Sequence, residues 1–308
     1  MSVIRGIENV PSELEGPAVA VGVFDGVHWG HRAIFQRLLE LARESDTVPV
    51  ALTFDRHPAE LLAPGNAPQY ITTLDQRIEL IQGIGVEWIV IAEFDRALAD
   101  LTREEFLSRV VCGRLRARNI VVGANFRFGR NREGDIRYLA SAAPAMGVGV
   151  SVVSSVIVDG APVSSTRVRS LIATGRLEDA SRLLGRRFAL RGTVTQGDKI
   201  GRTLGFPTAN IRTQPRQLVP ARGVYAVEVP VSGSTYGGLC YIGTRPTFGG
   251  RRQSIEVHLM GYKGDLYGAT LDVVFIRRLR DDMVFDTPEQ LAEQIRRDLE
   301  RIASDSRL

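Results

Sequence analysis

The chain changes its hydrophobic rhythm once, near Gly185. Before that point short apolar runs alternate with stretches of helical spacing. Val19–Val23, Val48–Phe54, Trp88–Ala92 and Asn119–Val122 read as strands, with Val148–Val158 as a fifth, buried one. His31–Arg43 carries Ile34, Leu38 and Leu41 at three- and four-residue spacing, and Leu74–Gly83, Ser165–Thr174 and Leu177–Leu184 read as further helices. Another helix starts at Thr102, where Glu105 completes a capping box. Such alternation predicts a parallel sheet covered by helices, with ligands at the carboxyl ends of its strands. After Gly185 strands and glycine-rich turns dominate: Phe188–Gln196, Val224–Val231, Tyr236–Ile242, Ile255–Met260 and Thr270–Arg277. That pattern predicts an antiparallel barrel or sandwich, closed by one helix from a Thr287 cap to Ile302. A length of 308 residues suits two domains, 1–185 and 186–308.

Scarce residues narrow the chemistry. The histidines are His28, His31, His57 and His258; the lysines are Lys199 and Lys263, against 37 arginines. Neither lysine ends a Walker-type loop. Cys112 and Cys240 are too far apart in sequence for a zinc ribbon or a disulfide framework, and suit a reducing cytoplasm. The N-terminal residues show no signal-peptide pattern. Tyr138–Val158 carries no charge over 21 residues, but Pro144, Gly147, Gly149 and four serines argue for a strand after a helix end rather than a membrane span. Residues 1–183 carry net charge −2 and residues 184–308 net +6, while residues 114–137 hold seven arginines and two acids. Arginine surfaces of this kind are either solvated or hold an anion. With aromatics at 7% and no stacking motif, a small nucleotide fits better than nucleic acid.

Gly22-Val-Phe-Asp-Gly-Val-His-Trp-Gly-His31 follows a strand and opens a helix. Gly22, Gly26 and Gly30 let backbone N–H groups approach an anion, and the helix start adds partial positive charge. His28 and His31 share one face of the first turn and can donate to phosphate oxygens as charge builds during a displacement. Ser164, Ser165 and Thr166 sit at another predicted helix start, followed by Arg167 and Arg169. Hydroxyls, free N–H groups and arginines can there converge on one anion, or simply cap the helix. Asn125 can read a base or ribose, or serve a turn.

His-x-Gly-His after a first strand resembles the nucleotidyltransferase superfamily, which attacks the α-phosphate of a nucleotide and releases pyrophosphate. The longer form, with Phe24, Asp25 and Gly26, resembles the adenylyltransferase part of bacterial bifunctional riboflavin kinase/FAD synthetases. Phe54-Asp-Arg-His-Pro58 resembles that family's flavin-side loop, and Val122-Gly-Ala-Asn-Phe-Arg-Phe-Gly129 its ATP-contacting segment. The resemblance implies flavin contacts for Phe54, His57, Pro58, Phe126 and Phe128; for His57 a structural loop role stands beside this. It implies nucleotide contacts for Gly22, Phe24, Asp25, Gly26, Gly30, Asn125, Ser164, Ser165, Thr166, Arg167 and Arg169. The β- and γ-phosphates would meet Ser164-Ser-Thr-Arg-Val-Arg169. Asp25 is left between positioning the metal and positioning a histidine.

Gly201-Arg-Thr-Leu-Gly-Phe-Pro-Thr-Ala-Asn210 reads from composition as a turn followed by a strand. Its whole length matches the riboflavin kinase signature. Thr208 and Asn210, one residue apart, share a face if extended and would seat Mg²⁺ through neutral oxygens together with substrate phosphates. Gly223-Val-Tyr225, Ile242-Gly-Thr-Arg-Pro-Thr-Phe248 and Ile255-Glu-Val-His-Leu259 follow in family order. Period two puts Glu256 and His258 on one face. The resemblance makes Glu256 the general base on the ribityl 5′-hydroxyl, with His258 in a structural role. Gly197, Lys199 and Arg202 form a loop suited to ATP phosphates. One departure is Leu259-Met-Gly-Tyr262, with Gly261 where many family members carry aspartate.

The expected fold is therefore α/β: a Rossmann-like nucleotidyltransferase domain with a parallel sheet, then an antiparallel β-barrel riboflavin kinase domain with a terminal helix. The expected substrates are riboflavin, FMN and ATP with Mg²⁺. No tightly bound organic cofactor, nucleic acid or membrane is expected; an oligomer is possible. Two competing readings are a member with one live activity and a flavin- or RNA-binding regulator on the same fold.

Overall fold

Ala18 and Ala20 face one side of a strand and Val19 and Val21 the other, and all four are buried. A strand apolar on both faces belongs in the middle of a covered sheet. That is its place in the computed structural model, which describes residues 2–197, 201, 204–247 and 250–304, with backbone alone at 245–247 and 250–252. Contacts divide the chain into two units, Met1–Gln69 with Leu74–Ser165, and Tyr70–Thr73 with Thr166–Leu308.

The first unit is built on strands β1 (Ser2–Arg5), β2 (Ala18–Val21), β3 (Pro49–Phe54), β4 (Trp88–Ala92), β5 (Asn119–Gly123) and β6 (Gly149–Val153). Their order is β1-β4-β3-β2-β5-β6, with every neighbour parallel. Between them run α1 (Trp29–Glu44), α2 (Pro58–Leu62), α3 (Leu74–Gln82), α4 (Arg96–Ala99), α5 (Arg103–Glu105) and α6 (Ile136–Ala142). On one face the small Ala18 and Ala20 let α1 approach with Phe35 and Leu38, beside Ile81 and Ile89. On the other, Val19, Val21, Leu52, Val90 and Val122 pack under Phe106, Leu107 and Val110. The chain steps from β2 outward through β3 to β4 and returns to β5 on the other side of β2. The carboxyl ends of β2 and β5 thus flank a topological switch point, where such sheets bind ligands.

The capping box at Thr102 forms as expected, with Thr102 Oγ1 accepting from the Glu105 N–H at 3.1 Å, and the helix continues as a π-helix over Phe106–Arg114. The expected buried strand Val148–Val158 is corrected. It is the short edge strand β6, with Val152 42% exposed, followed by a hairpin of β7 (Ile157–Val158) and β8 (Ala161–Pro162). Pairing on one side only leaves its valines half covered. The opposite edge strand β1 has too few residues to show a period.

The second unit contains α7 from Thr166 onward (the helix spans Ser165–Ala173), α8 (Leu177–Leu184), and the strands β9 (Ala189–Thr195), β10 (Ala209–Thr213), β11 (Gly223–Val231), β12 (Ser234–Thr247), β13 (Gly250–Leu259) and β14 (Thr270–Arg280). These close as an antiparallel barrel, β10-β13-β12-β11-β14-β9, with β9 also pairing β10. Barrel, not sandwich, is the outcome. Phe188, Tyr225, Val227, Cys240, Val257 and Phe275 are fully buried in this unit. Helix α9 (Pro288–Ala303) is capped by Thr287, whose Oγ1 accepts from the Gln290 N–H at 3.3 Å. It lays Ile295, Leu299 and Ile302 on Val224, Ala226, Leu239 and Leu279.

Asp298 on α9 is fully buried and accepts from Arg280 Nε at 2.8 Å and Gln294 Nε2 at 3.0 Å. Removing one partner of a buried ion pair strands the other charge, whereas replacing both with apolar groups does not. Asp298→Ala is expected to cost the second unit about 3–5 kcal/mol. Arg280→Met with Asp298→Leu should cost less than that single change, an order that urea unfolding of the three proteins will check.

Candidate active sites

After β2 the chain passes through Gly22, over which the Phe24 ring folds, and takes left-handed backbone at Phe24 (φ +52°), Gly26 (φ +82°) and Val27 (φ +39°). Such angles strain non-glycine residues, and burial holds them here: Phe24 is 2% and Val27 1% exposed. The Phe24 ring packs on Phe35 at 4.6 Å and meets His31 edge-on at 5.4 Å. The Phe24 ring is thus taken up by packing and helps to place His31. His28 caps α1, its Nδ1 accepting from the His31 N–H at 3.4 Å, and the two imidazoles stack at 3.7 Å. With Nδ1 accepting, a neutral His28 carries its proton on Nε2, where it can donate. Gly30 lies against the His28 ring. Asp25 is buried, and its carbonyl accepts from Ser165 Oγ at 3.0 Å. Ser164 is exposed beside it; Thr166, Arg167 and Arg169 continue along α7 in the second unit.

The loop after β3 and the segment after β5 show how the residues expected at the flavin are held. His57 is the N-cap of α2: its Nδ1 accepts from the Ala59 N–H at 3.1 Å, Glu60 completes the capping box, and Pro58 fills the first helical position. His57 thus has the structural loop role that stood beside the flavin contact. The Phe54 ring packs on Phe94 at 5.5 Å, and Phe128 packs against Phe106 at 5.5 Å; both are under 10% exposed and belong to the core. Half-buried Phe126, stacked on Phe128, is the aromatic that keeps an accessible face. Exposed Asn125 lines a cleft of about 570 Å³ with Phe126, Arg127, Arg132 and Arg137. Its carboxylate is Asp135, held below the usual range first by the Tyr138 N–H it caps and then by Arg127.

In the barrel, β10 and β13 pair with Asn210 opposite Glu256. Thr208 Oγ1 donates to Glu256 Oε2 at 3.3 Å, and Ser254 Oγ to Oε1 at 3.0 Å. The alternation of β13 explains the set. Ile255, Val257 and Leu259 are buried, while Ser254, Glu256 and His258 are half-covered. His258 Nδ1 lies 2.9 Å from the Pro207 carbonyl and so pins the loop carrying Thr208. The Asn210 amide occupies the space where any side chain at Gly197 would sit, with Nδ2 2.1 Å from an added Cβ. Lys199 and Arg202, like Phe248, lie outside the described residues.

Two cavities meet at this set. One, about 280 Å³, is mostly apolar and lined by Glu256, Tyr241, Phe206, Met283, Phe285 and Ile295 among others. The second, about 510 Å³, runs along Pro207, Ala209, Tyr262, Lys263 and Tyr267. Thr208 belongs to both walls. Gly261 has φ +74° and nothing within 4 Å of an added Cβ. The position thus demands left-handed backbone rather than space, a conformation aspartate tolerates better than most residues. The departure at Gly261 leaves the loop geometry intelligible.

No group of three or more histidine, cysteine or acidic residues suited to a metal occurs among the described residues. Thr208 and Asn210 offer instead a hydroxyl and an amide oxygen beside a carboxylate, hard donors that fit Mg²⁺ held jointly with phosphates. Sequence reasoning missed Ser254, Thr53 and Arg77. Ser254 is legible from its place two residues before Glu256. Arg77 looks like any arginine on an amphipathic helix, yet is 1% exposed.

These two arrangements define an anion-binding loop at the switch point of a parallel sheet and a carboxylate–hydroxyl site on a closed barrel, the equipment of a nucleotidyl transferase and a phosphotransferase. The comparisons agree half by half: residues 10–167 match the FAD synthetase family and residues 184–305 the riboflavin kinase family. The bifunctional riboflavin kinase/FMN adenylyltransferase of Escherichia coli (strain K12) is 40% identical over 300 residues, covering 97% of this chain and 96% of its own. That of Bacillus subtilis (strain 168) is 32% identical, covering 94% and 92%. A crystal structure described as a macrolide-efflux protein from Streptococcus pneumoniae shares the fold at a TM-score of 0.89 and 30% identity, covering 99% of this chain and all of that one. No helix among the described residues is long and apolar enough to cross a membrane. The chain belongs to the bifunctional riboflavin kinase/FMN adenylyltransferase family.

Burial, and then the Glu256 charge, push the Cys240 thiol far above its ordinary range. Thiolate is therefore absent near pH 8, and Cys240 is expected to resist iodoacetamide until the barrel unfolds. Peptide mass spectrometry of native and denatured samples checks this.

Proposed function

We propose that the chain makes FMN from riboflavin and ATP in residues 186–308, and FAD and pyrophosphate from FMN and ATP in residues 1–185. The observation that carries this reading is that one chain holds both sets complete: stacked His28 and His31 at a helix start on the switch point, and Glu256 joined to Thr208 between two cavities.

In the barrel, the apolar cavity takes the flavin ring and the larger one takes ATP. The ribityl 5′-hydroxyl gives its proton to Glu256 while its oxygen bonds to the γ-phosphorus and ADP leaves. Ser254 and Thr208 aim the carboxylate. Thr208 and Asn210 would hold Mg²⁺, which when bound neutralises charge on the ATP phosphates. Gly197, Lys199 and Arg202 supply the ATP loop.

In the first unit, a phosphate oxygen of FMN bonds to the α-phosphorus of ATP and the bond to the departing pyrophosphate breaks. The acceptor is already anionic, so no strong base is needed; positioning and charge neutralisation carry the rate. His28 donates from Nε2, and His31 lies stacked on it. Ser164-Ser-Thr-Arg-Val-Arg169 is the proposed segment for the pyrophosphate, Asn125 reads the nucleoside, and Phe126 presents the aromatic face for flavin. The reading places the enzyme in the cytoplasm, acting without nucleic acid or membrane, and allows an oligomer.

Purified protein with riboflavin, ATP and Mg²⁺ should yield FMN and then FAD by chromatography, without nucleic acid. Glu256→Ala is expected to lose FMN formation yet still adenylate supplied FMN. His28→Asn with His31→Ala, which keeps an N-cap acceptor, should do the reverse; a folded variant that lost both activities would break the two-site assignment. Ser254→Ala removes one hydrogen bond to a charged group and should lower kcat for riboflavin phosphorylation about tenfold, with KM for riboflavin little changed.

A further inference from the structure

Adenylyl transfer needs its two substrates a bond's length apart; on the reading above the nucleotide lies at the histidine loop after β2, and the resemblance puts the flavin side at the Phe54–Pro58 loop after β3. Parallel neighbours share hydrogen bonds along β2 and β3, and the last of these runs from the Gly22 N–H to the Leu52 carbonyl at 3.1 Å. Beyond it, one buried nitrogen bridges the two loops. Arg77 Nη1, from α3, donates to the Val23 carbonyl at 2.9 Å, to the Phe54 carbonyl at 3.0 Å and to Thr53 Oγ1 at 3.1 Å. Thr53 Oγ1 in turn donates to the Val23 carbonyl at 3.1 Å. Thr53 is fully buried, and Val23 directly precedes the strained Phe24. The acceptor loop is fixed on its other side, where Asp55 Oδ1 accepts from the Phe94 N–H at 2.8 Å.

We infer that Arg77 is a positioning residue for adenylyl transfer, setting the gap between the nucleotide loop and the acceptor loop from behind without touching either substrate. The inference rests on the adenylyl-transfer reading above. Its physical basis is the steep dependence of an in-line displacement on alignment: a misplacement of about 1 Å can cost about a hundredfold in rate. Nη1 carries two N–H groups for three acceptors, so one proton is shared between two of them. A lysine ammonium has three N–H donors and can serve the same three oxygens.

The test uses the full chain, with riboflavin phosphorylation as an internal control. Arg77→Met should lower kcat for FAD formation from supplied FMN at least tenfold, with KM for ATP and FMN within about threefold and the kinase rate unchanged. Arg77→Lys should restore kcat to within about threefold of wild type. Parallel rises in both KM values with kcat unchanged, or no rescue by lysine, would overturn the inference, as would full FAD formation by Arg77→Met. If Arg77→Met does not fold, Thr53→Val carries the test. It keeps the side-chain shape and removes the shared hydroxyl, so kcat for FAD formation should fall about fivefold, and wild-type kcat would refute the proposal. Wild-type protein that makes no FAD at all counts instead against the functional reading.

Discussion

Register between neighbouring strands is the constraint on which both sites rest. In the first unit, parallel pairing aligns the carboxyl ends of β3, β2 and β5 along one edge of the sheet, so three motifs far apart in sequence emerge side by side. In the second, antiparallel pairing sets Asn210 opposite Glu256 and Tyr241 opposite Glu256 on the other neighbour. A slip of one residue in β13 would turn Glu256 into the interior and Val257 outward, because side chains alternate with period two. The motifs supply chemical groups; the backbone ladders decide that the groups meet.

Much of this was legible without coordinates, for stated reasons. Period and glycine placement marked the central strands, the change at Gly185 and the final helix with its Thr287 cap. Glu256 and His258 on one face followed from alternation alone. What could not be read was how deeply each side chain in a motif is buried. Phe24, Phe54 and Phe128 carry the motif spacing yet are buried packing residues, and His57 spends its Nδ1 on a helix cap. Edge strands failed for another reason. β1 has only four residues, and the valines of β6 mimic a buried strand although one edge has no partner. Arg77 was invisible because a buried arginine and a solvent one look alike in a helical stripe.

The abundance of arginine resolves into several physical roles. Arg37 with Glu44 and Arg182 with Asp179 lie at the surface, where such pairs contribute little. Arg103 covers the Tyr138 ring at 4.1 Å. Arg280 ties its strand to Asp298 of the last helix, and buried Arg77 ties the two loops after β2 and β3. Of the arginine-rich stretch, Arg127, Arg132 and Arg137 line the Asn125 cleft, Arg127 paired there with Asp135 at 3.1 Å.

On β13, residues that hold the barrel together and residues proposed to serve the reaction occupy alternate positions of one strand. Selection therefore reads the segment 254–259 in two channels. Changes at Ile255, Val257 or Leu259 register as lost protein, whatever the chemistry, whereas on the proposed reading changes at Ser254 or Glu256 register as idle protein at full abundance. The strand can drift in one channel without disturbing the other, which allows the reaction to be tuned on a scaffold whose stability is set from the opposite face.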